Sequence, residues 1–455
     1  MISMFSKLHL PDYMQKLFLI ISLLFIISFQ SNAADITLIP FEENDKLTSE
    51  SVNCIFEDSK GFIWIGTING LCRYDANTMV IYKHNLEDST SISNNQIQTI
   101  KEDKKGNLWI GTENGLNKYN WKYDNFTSFL PDSTETSISN GWINDMFSDS
   151  KGRFWVLTRD GINQLTENNG QIIFKSFFPA IEDPSSQIEK SMQCIVEDPQ
   201  GGLWVGTWMA GFCRFIPEKD TFIKYTNNPS DKYSIPSNIV EEMLRLDQNL
   251  ILIGPSQANM CLFNIRENKF YTSETYPEYK ELLDIPGPYY CFTRRNNNQI
   301  WIGTFNGLVV FDLSKKKIIY DSRLKSEKTD NVYKTRGKDQ AKYILVDNNN
   351  IVWVTYGGLG IDKYDPYQDK FGEYRINLNS APQYQDYIRE ALFFNKNNIW
   401  FTCLKDGLIQ TDFSGKIKKR FFGDQGKHQI STVFSVTRDL VGNLWIGTNQ
   451  GFQKI

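Results

Sequence analysis

The sequence contains few of the residues that most often build catalytic or metal centres. It has three histidines among 455 residues. His9 lies near the N-terminus, and His84 and His428 stand at no metal-ligand spacing to each other or to a cysteine. A nucleophile elbow, a zinc motif and a phosphate-binding loop are also missing from the sequence. We therefore expect a binding protein and not an enzyme, with no catalytic residue, no metal and no other cofactor.

An excess of positive charge is missing as well. The chain has 49 Lys and Arg against 53 Asp and Glu, a net charge of -4. Surfaces that bind nucleic acid need clustered basic side chains. We therefore expect no nucleic-acid partner.

Long hydrophobic runs are absent except at the N-terminus. Lys7 and Lys16 precede the apolar segment LFLIISLLFIISF, Leu17–Phe29, and the small residues of SNAA follow at Ser31–Ala34. Such a run is short for a membrane span and typical of a secretory signal. We predict that residues 1–34 are a signal peptide and that the mature chain is exported. An uncleaved N-terminal anchor is the alternative.

The sequence does contain a repeat. The segment GNLWIGT occurs at Gly106–Thr112 and again at Gly442–Thr448, and related segments recur 45 to 52 residues apart. This period is typical of propeller blades, each of which has several short strands. Nine units are recognised by the residue in the tryptophan position: Trp64, Trp109, Trp155, Trp204, Leu252 (in a degenerate copy), Trp301, Trp353, Trp400 and Trp445.

Each unit is interpreted as four strands joined by tight turns. In the second unit, the strand IQTIKED ends in the turn DKKG, and NLWIGT is followed by Asn114–Gly115, a pair that favours a two-residue hairpin. LNKYN and NFTSFL supply the third and fourth strands. We predict an all-β fold, a β-propeller of four-stranded antiparallel blades.

The motif itself has a structural explanation. Side chains alternate along a strand, so Trp109 and Gly111 share one face of the sheet. A large ring beside a bare backbone allows the next sheet to pack closely. We therefore predict that the tryptophans, including Trp109 and Trp445, belong to the core. The carboxylate pairs Glu57–Asp58, Glu102–Asp103 and Glu197–Asp198 recur at the following turn and are interpreted as turn formers.

Seven cysteines are present, an odd number. Cys54 and Cys194 occupy matching places in first strands, and Cys72 and Cys213 in third strands. The first and third strands of one sheet are two strand spacings apart, roughly 9 to 10 Å. This distance is too long for a disulfide, whose Cα atoms lie at most ~7 Å apart. We predict buried free thiols and no structural disulfide.

Two arrangements of the nine units are considered. Residues 35–370 form a propeller of about seven units and residues 371–455 begin a second, incomplete one, or residues 35–455 form a single ring. The segment Ile36–Phe41 resembles the outer strand of a blade, and the last unit ends at Ile455 after its third strand. The spare strand and the missing one are complementary, so pairing between them would seal a single ring and hide its free edges. The first arrangement is favoured because GNLWIGT recurs seven units apart.

The segment DSKGFIWIGTINGLCRYD, Asp58–Asp75, resembles the two-component regulator propeller repeat. In that family the repeats form the periplasmic sensor of Bacteroidetes hybrid two-component systems, which regulate polysaccharide utilisation through a phosphorelay. The resemblance implies a periplasmic module, tethered to the inner membrane and homodimeric in its full-length context. Family members usually have fourteen repeats, a β-sandwich, a membrane helix and a histidine kinase. The present chain has nine units and is expected to be the front part of such a sensor, with membrane contact only through a downstream helix or an uncleaved signal.

Specificity is expected where the repeat is interrupted on one face of the disc. There, aromatic rings offer flat faces to sugars and cations suit acidic or sulfated ones. The candidate ligand-binding residues are Trp142, Arg159, Trp208, Tyr290, Phe305, Tyr356 and Lys405.

We therefore predict a sensor module that recognises glycan-derived oligosaccharides. Two alternatives stay open at this point. A propeller polysaccharide lyase or glycosidase would need convergent acids in the central channel. A scaffold that binds a protein partner would use the same disc face.

Overall fold

The computed structural model describes residues 36–179, 191–324, 339–366, 388–395, 398–403, 407–411, 417–421, 433–439, 443–448 and 451–454. The chain falls into two compact units, Met1–Pro366 and Tyr367–Ile455. In the described residues nearly all regular structure is β-strand, and no helix found there is long and apolar enough to cross a bilayer. The predicted signal peptide, residues 1–34, lies outside the described part of the chain.

The strands form where the sequence predicts them, because turn residues separate short apolar runs. After the short β1 (Ile39–Pro40), the first repeat gives four strands in sequence order: β2 (Val52–Glu57), β3 (Ile63–Thr67), β4 (Gly70–Tyr74) and β5 (Met79–Tyr82). Gly61 and Gly70 have φ of +85° and +129° at the two hairpins, a conformation that glycine adopts without strain.

The same antiparallel meander is repeated through the first unit, and each group of strands here is one sheet. The second and third sheets are β6 (Ile97–Glu102), β7 (Leu108–Thr112), β8 (Gly115–Asn120) and β9 (Asn125–Phe129), then β10 (Ile143–Ser148), β11 (Phe154–Thr158), β12 (Ile162–Asn168) and β13 (Gln171–Phe177). The fourth and fifth are β14 (Met192–Glu197), β15 (Leu203–Thr207), β16 (Phe212–Ile216) and β17 (Thr221–Tyr225), then β18 (Val240–Arg245), β19 (Leu250–Pro255), β20 (Cys261–Asn264) and β21 (Lys269–Tyr271). The sixth is β22 (Tyr289–Arg295), β23 (Gln299–Thr304), β24 (Gly307–Asp312) and β25 (Lys317–Asp321), and the seventh contains β26 (Ala341–Val346), β27 (Val352–Tyr356) and β28 (Ile361–Tyr364). A short α-helix, Lys280–Leu283, lies between the fifth and sixth sheets, and single 3-10 turns lie at Asn44–Lys46, Pro217–Lys219, Pro277–Tyr279 and Ser322–Leu324.

These seven sheets surround a central channel. The first strands of successive sheets lie side by side in chain order from β2 to β26, and β26 again lies beside β2. The sheets are therefore blades arranged in a ring, and each blade turns its first strand toward the centre. The predicted all-β fold with four-stranded antiparallel blades is confirmed.

The ring is joined at the seventh blade by the N-terminal strand. β1 pairs antiparallel with β28, with Ile39 opposite Lys363. The Phe41 N–H donates to the carbonyl of Ile361 at 2.9 Å. The side chain of Asn44 donates to the same carbonyl and accepts from the Ile361 N–H, both at 2.8 Å. The segment is thus an outer strand, as predicted, but it completes the seventh blade and not the last unit of the chain.

Side chains reinforce this junction between the first and seventh blades. The ring of Phe41 lies edge-on to Tyr74 and Trp353, with centroids 5.1 and 5.3 Å away. On the opposite rim, Glu57 Oε2 accepts the N–H of Asn348 at 2.7 Å. Aromatic packing and hydrogen bonds therefore both connect the first blade to the seventh.

The repeated tryptophans pack between neighbouring blades, as predicted. Trp64 has no exposed surface, and its indole N–H donates to Asp58 Oδ2 at 2.7 Å. Asp58 Oδ1 accepts the backbone N–H groups of Lys60 and Phe62, so one aspartate holds both the turn and the ring. The same indole–aspartate bond recurs at Trp109, Trp155, Trp204, Trp353 and Trp445.

The carboxylate pairs at these turns are structural. The aspartate of each pair forms the turn, and the glutamate reaches the turn of the preceding blade. Glu102 accepts the N–H of Ser59 at 2.7 Å, and Glu197 accepts that of Ser150 at 2.8 Å. Their interpretation as turn formers is confirmed for the aspartates, whereas the glutamates connect neighbouring blades.

The glycines of the motif provide the predicted clearance between sheets. A Cβ atom on Gly66 would lie 2.6 Å from Cγ2 of Ile97 in the next blade. On Gly303 it would lie 2.3 Å from the carbonyl oxygen of Ala341. Real Cβ atoms do not approach so closely, so the blades can pack at this distance only when glycine is present.

Six cysteines are buried free thiols, as predicted: Cys54, Cys72, Cys194, Cys213, Cys261 and Cys291. The side chain of the seventh, Cys403, lies outside the described part of the chain. Cys54 and Cys194 lie on β2 and β14, and Cys72 and Cys213 on β4 and β16. They pack as small apolar side chains.

The second unit contains two more sheets of the same kind. Their strands are β29 (Ile388–Asn395), β30 (Asn398–Cys403), β31 (Gly407–Thr411) and β32 (Ile417–Phe421), then β33 (Val433–Arg438), β34 (Leu444–Thr448) and β35 (Gly451–Lys454). Trp400 is buried, but Trp445 is 38% exposed, so its assignment to the core was wrong. The reason is local: the nearest described neighbours of a Cβ atom on Gly447 are Ser435 and Phe452 of the same sheet, and no following sheet covers that face within the described residues.

Candidate binding site in the ring channel

One irregularity recurs in the first strand of every blade of the ring. In β2, Val52 pairs with Thr67 and Cys54 with Gly66, so Asn53 has no partner on β3. Such a β-bulge leaves one residue unpaired and redirects its side chain. The unpaired residues of the seven blades are Asn53, Gln98, Asn144, Gln193, Glu241, Tyr290 and Lys342.

The seven bulge residues together line one cavity of about 820 Å³. Because each comes from the innermost strand of its blade, the cavity lies in the central channel. We call it the channel cavity, and we call the seven side chains the bulge ring. Its size is within the usual range of ligand sites, about 300 to 1,000 Å³.

Hydrogen bonds hold several members of the bulge ring in place. Asn53 donates to the carbonyl of Ile97 in the next blade at 2.9 Å, and Asn144 donates to that of Met192 at 2.6 Å. Lys342 donates to Asn53 Oδ1 at 3.1 Å. These contacts preorganise the lining, since the side chains are positioned without a ligand.

Four further polar side chains interrupt the repeat inside the channel. The residue after the bulge is small in four blades (Cys54, Thr99, Cys194 and Cys291), and the other three blades place Asp145, Glu242 and Tyr343 there. Two residues further along, where most blades have an apolar residue, the second blade has Lys101. All four polar side chains line the channel cavity.

These four groups, which come from four blades, influence one another electrostatically. Lys101 Nζ lies 3.4 Å from the hydroxyl of Tyr343. Tyr343, followed by Asp145 and Glu242, raises the pKa of Lys101 although burial opposes this. Burial raises the pKa of Asp145, and Lys101 partly offsets that effect. Burial, with a contribution from Asp145, raises the pKa of Glu242 to about 8.

A second cavity, of about 680 Å³, lies beside the first on the same face. Asn144, Gln193 and Trp208 line both cavities. In the second cavity the guanidinium of Arg159 stacks over the Trp142 ring, 3.2 Å from its centroid.

The charge of Arg159 is partly matched within this cavity. Glu113 also lines it, and Arg159 lowers the pKa of this carboxyl against the larger, raising effect of burial. The exposed guanidinium is therefore not an isolated cation.

The structure brings five of the seven predicted site residues to these cavities. Trp208, Tyr290 and Phe305 line the channel cavity, and Trp142, Arg159 and Trp208 line the second. Tyr356 lines neither cavity: it is 2% exposed and packs in the core. It pairs with Ala341 as Thr67 pairs with Val52, so it occupies the place of a buried threonine and not of a loop residue. Lys405 lies outside the described residues.

Sequence reasoning missed the bulge ring and the interior group of Lys101, Asp145, Glu242 and Tyr343. A signal was present, since VNCI, IQTI, INDM and MQCI each place a polar residue directly after an apolar one and then break the two-residue alternation. The break marks the bulge, and the polar residue is the one that faces the channel.

Neither cavity shows the geometry of a metal site. Among the described residues, no group of three or more His, Cys, Asp or Glu side chains is placed to hold a metal ion. What the channel offers is amide, carboxyl, ammonium and phenol groups beside aromatic rings, which is suited to binding a polar organic molecule.

Comparison with known proteins identifies the repeat. Residues 46–69, 91–114 and 186–209 match the family described as two component regulator propeller. These segments contain first-strand bulges and the tryptophan motif of the first, second and fourth blades. No curated protein sequence matches the chain.

Several solved structures share the fold. The extracellular domain of the hybrid two component system BT3049 from B. thetaiotaomicron has a TM-score of 0.59 and 20% identity over 92% of this chain and 53% of that one. The corresponding domain of BT4673 has a TM-score of 0.51 and 18% identity over 92% and 51%. The chain thus spans about half the length of these domains.

An enzyme has a similar fold. A catalytically inactive virginiamycin B lyase from Staphylococcus aureus, crystallised with quinupristin, has a TM-score of 0.50 and 12% identity over 72% of this chain and 98% of that one. Identities this low establish the fold alone. Three segments of the chain therefore match the two-component regulator propeller repeat, and the chain has the propeller fold found in the extracellular domains of hybrid two-component systems.

Proposed function

We propose that the chain is a ligand-binding sensor module of a hybrid two-component system. The observation that carries this proposal is the channel cavity, to which every blade of the ring contributes one unpaired side chain. A ligand held there contacts all seven blades and can change their relative positions, as a sensor requires. The fold shared with extracellular domains of such systems supports the same conclusion.

We further propose that the ligand is an oligosaccharide derived from a glycan. The exposed rings of Trp208 and Phe305, each more than two-fifths exposed, border the channel cavity, as does Tyr290. Flat rings of this kind pack against sugar C–H groups. The amides of Asn144 and Gln193, next to them, are suitable partners for sugar hydroxyls.

The cellular setting is part of the proposal. We infer a periplasmic location after removal of residues 1–34, a homodimer tethered to the inner membrane in the full-length protein, and a role in polysaccharide utilisation. For the domains, we propose that residues 35–370 are a complete seven-bladed ring and that residues 371–455 begin a second propeller. The two units seen in the structure support this division.

Replacement of Trp208 tests the proposed site. Trp208→Ala removes the ring that both cavities share, so glycan binding should weaken about tenfold, the effect of losing one aromatic contact of ~1.4 kcal/mol. Isothermal titration calorimetry of the purified chain against a glycan panel measures the change. Tyr123→Ala is the matched control, because Tyr123 is 63% exposed and lines neither cavity. Equal affinity in the wild type and Trp208→Ala would remove this site, and a panel without any binder would remove the glycan ligand.

A second candidate function, glycan cleavage, is favoured by one observation. Asp145 and Glu242 line the same channel cavity, and the pKa of Glu242 is raised to about 8, as a general acid requires. Chromatography of the same panel after incubation with the chain distinguishes the two functions. New, shorter products that disappear with Glu242→Gln would establish an enzyme, whereas unchanged glycans together with saturable binding favour the sensor.

A further inference from the structure

The carboxyl groups that line the channel cavity outnumber the ammonium groups. Three carboxyl groups, of Asp145, Glu241 and Glu242, face two ammonium groups, of Lys101 and Lys342. With all five groups ionised, one negative charge stays without a counter-charge among the described residues of this lining. A partner of positive charge would complete the set.

Both ammonium groups are already engaged by the protein. Lys342 donates to the side chain of Asn53 at 3.1 Å. Lys101 lies 3.4 Å from the Tyr343 hydroxyl, and its charge also interacts with those of Asp145 and, more weakly, Glu242. The single charge of Lys101 is therefore shared between two carboxyl groups, and Lys342 is engaged by an amide.

The two adjacent glutamates are less fully matched. Glu241 accepts the backbone N–H of Tyr289 at 3.0 Å, and Glu242 accepts that of its own neighbour Met243 at 3.0 Å. Each has a second oxygen that can accept a further hydrogen bond. Apolar side chains, among them Cys291 and Phe292, line the same cavity and strengthen any charge pair formed there.

Resting on the proposed function, we propose that the channel cavity is a subsite for a glycan with a primary ammonium group, as in an amino sugar, and that Glu241 and Glu242 are its counter-charges. An ammonium group donates three hydrogen bonds, and the two carboxyls supply acceptors on one strand. An acidic or sulfated sugar fits this lining less well, because carboxyl groups are in excess and both ammonium groups are already engaged by the protein. Of the two cations predicted to bind such a sugar, Arg159 lies in the second cavity against Trp142, and Lys405 lies outside the described residues.

Binding at this subsite exchanges one positive charge for another. In the ligand-free protein, Glu242 holds a proton at neutral pH, because burial raises its pKa to about 8. The incoming ammonium group replaces that proton as the counter-charge, and the proton is released to the solvent. Ligand binding therefore releases protons, and no other reactant is needed.

Three oligosaccharides of equal length test the subsite. Chitosan tetraose has free amines, chitin tetraose has the same amines acetylated, and cellotetraose has none. At pH 6 we expect the purified chain to bind chitosan tetraose at least about tenfold more tightly than the other two, as one charge-assisted hydrogen bond of ~1.5 kcal/mol implies. Titration calorimetry in two buffers of different ionisation enthalpy should show proton release with chitosan tetraose alone.

Glutamine substitutions test which carboxyl groups cause the preference for chitosan tetraose and the proton release. Glu242→Gln should remove the preference and the proton release, Glu241→Gln should weaken the preference, and Glu87→Gln, at an exposed carboxylate outside both cavities, should change neither. Thermal unfolding of each variant shows whether it is folded.

Four results would overturn the subsite. The first is equal binding of all three oligosaccharides, which leaves the proposed glycan sensor intact. The second is a preference for chitosan tetraose that survives both glutamine substitutions. The third is binding of another glycan on the panel with none of these three bound. In the fourth case no glycan binds at all, and the proposed function fails together with the subsite.

Discussion

At the scale of single residues, Glu242 shows how the fold changes the chemistry of a side chain. Its carboxyl lies among the inner strands, where burial and the nearby Asp145 raise its pKa from the ordinary 4.5 to about 8. Between these two values the folded protein holds a proton that the unfolded chain has already released. Wherever the folded state binds more protons than the unfolded chain, the free energy of unfolding decreases as the pH rises. Glu242 therefore favours the folded state at low pH.

This difference predicts a pH dependence of stability. As the pH rises from 5 to 8, the stabilisation contributed by protonated Glu242 is lost, so the urea midpoint of the wild type should fall. Glu242→Gln keeps an uncharged side chain of the same shape at every pH. The variant should match the wild type at pH 5 and exceed it at pH 8, as measured by tryptophan fluorescence in urea.

Glu87→Gln serves as the control, because Glu87 is exposed and its replacement should not alter the pH profile. Parallel profiles of the wild type and Glu242→Gln from pH 5 to pH 8 would contradict the raised pKa.

Single residues also show which positions in the fold could be predicted from the sequence and which could not. Trp64 and Gly66 could be assigned to the blade interface because strand alternation places both on one face. Tyr356 was misplaced although the motif fixes its position: it follows Trp353 by three residues, as Thr67 follows Trp64, so it occupies the buried threonine position before the hairpin begins. Trp445 has the same motif as Trp109, so only the neighbouring sheets distinguish the exposed ring from the buried one.

At the scale of secondary-structure elements, the second strand of each blade sets the distance to the next blade. The glycine of the motif lies against the first strand of the following sheet, and in the sixth blade the space is closed by backbone: the Ala341 carbonyl oxygen would lie 2.3 Å from a Cβ atom on Gly303. A carbonyl in a strand cannot rotate away as a side chain can, so an added methyl group must move β23 away from β26.

Gly303→Ala should therefore destabilise the ring by about 1 to 3 kcal/mol or more, the usual range for overpacking. Urea unfolding measures the loss. Gly447→Ala, in the same motif of the last sheet, should lose less, because its nearest neighbour is the Ser435 hydroxyl, which can rotate. Equal losses in the two variants would show that strand propensity, and not packing between sheets, is the reason for the glycine.

The elements were largely predictable, and their irregularities were not. Turn residues such as Asn114–Gly115 separate the strands, and the two-residue alternation identifies their inner faces. The segment IQTI breaks the alternation at Gln98, but only the pairing of β6 with β7 shows that this break is a bulge whose unpaired side chain lines the channel. The candidate site was consequently predicted only at its loop residues, and the strand residues that line the channel were missed.

At the scale of the whole molecule, the ring depends on its junction between residues far apart in the chain. Phe41, 2% exposed, fills the space between Tyr74 and Trp353. Phe41→Ala should lower the free energy of unfolding by about 3 to 5 kcal/mol, the range for a buried phenylalanine. It should also release β1, so that limited proteolysis cuts near residues 41–50.

Phe126→Ala is the matched control, since Phe126 is 4% exposed and lies in the second blade away from the junction. It should lose comparable stability without N-terminal cleavage. The same cleavage pattern in both variants would show that general destabilisation, and not opening of the junction, exposes the N-terminal segment.

The bulge ring separates what the protein needs in order to fold from what it presents to a ligand. An unpaired residue makes no ladder hydrogen bond, so its side chain can be exchanged with little effect on strand pairing. The ring contains seven such positions, one per blade, and here they hold two asparagines, two glutamines, a glutamate, a tyrosine and a lysine. Gene duplication can therefore preserve the blade while point mutations diversify its channel residue, so that new ligand preferences arise one substitution at a time on an unchanged scaffold.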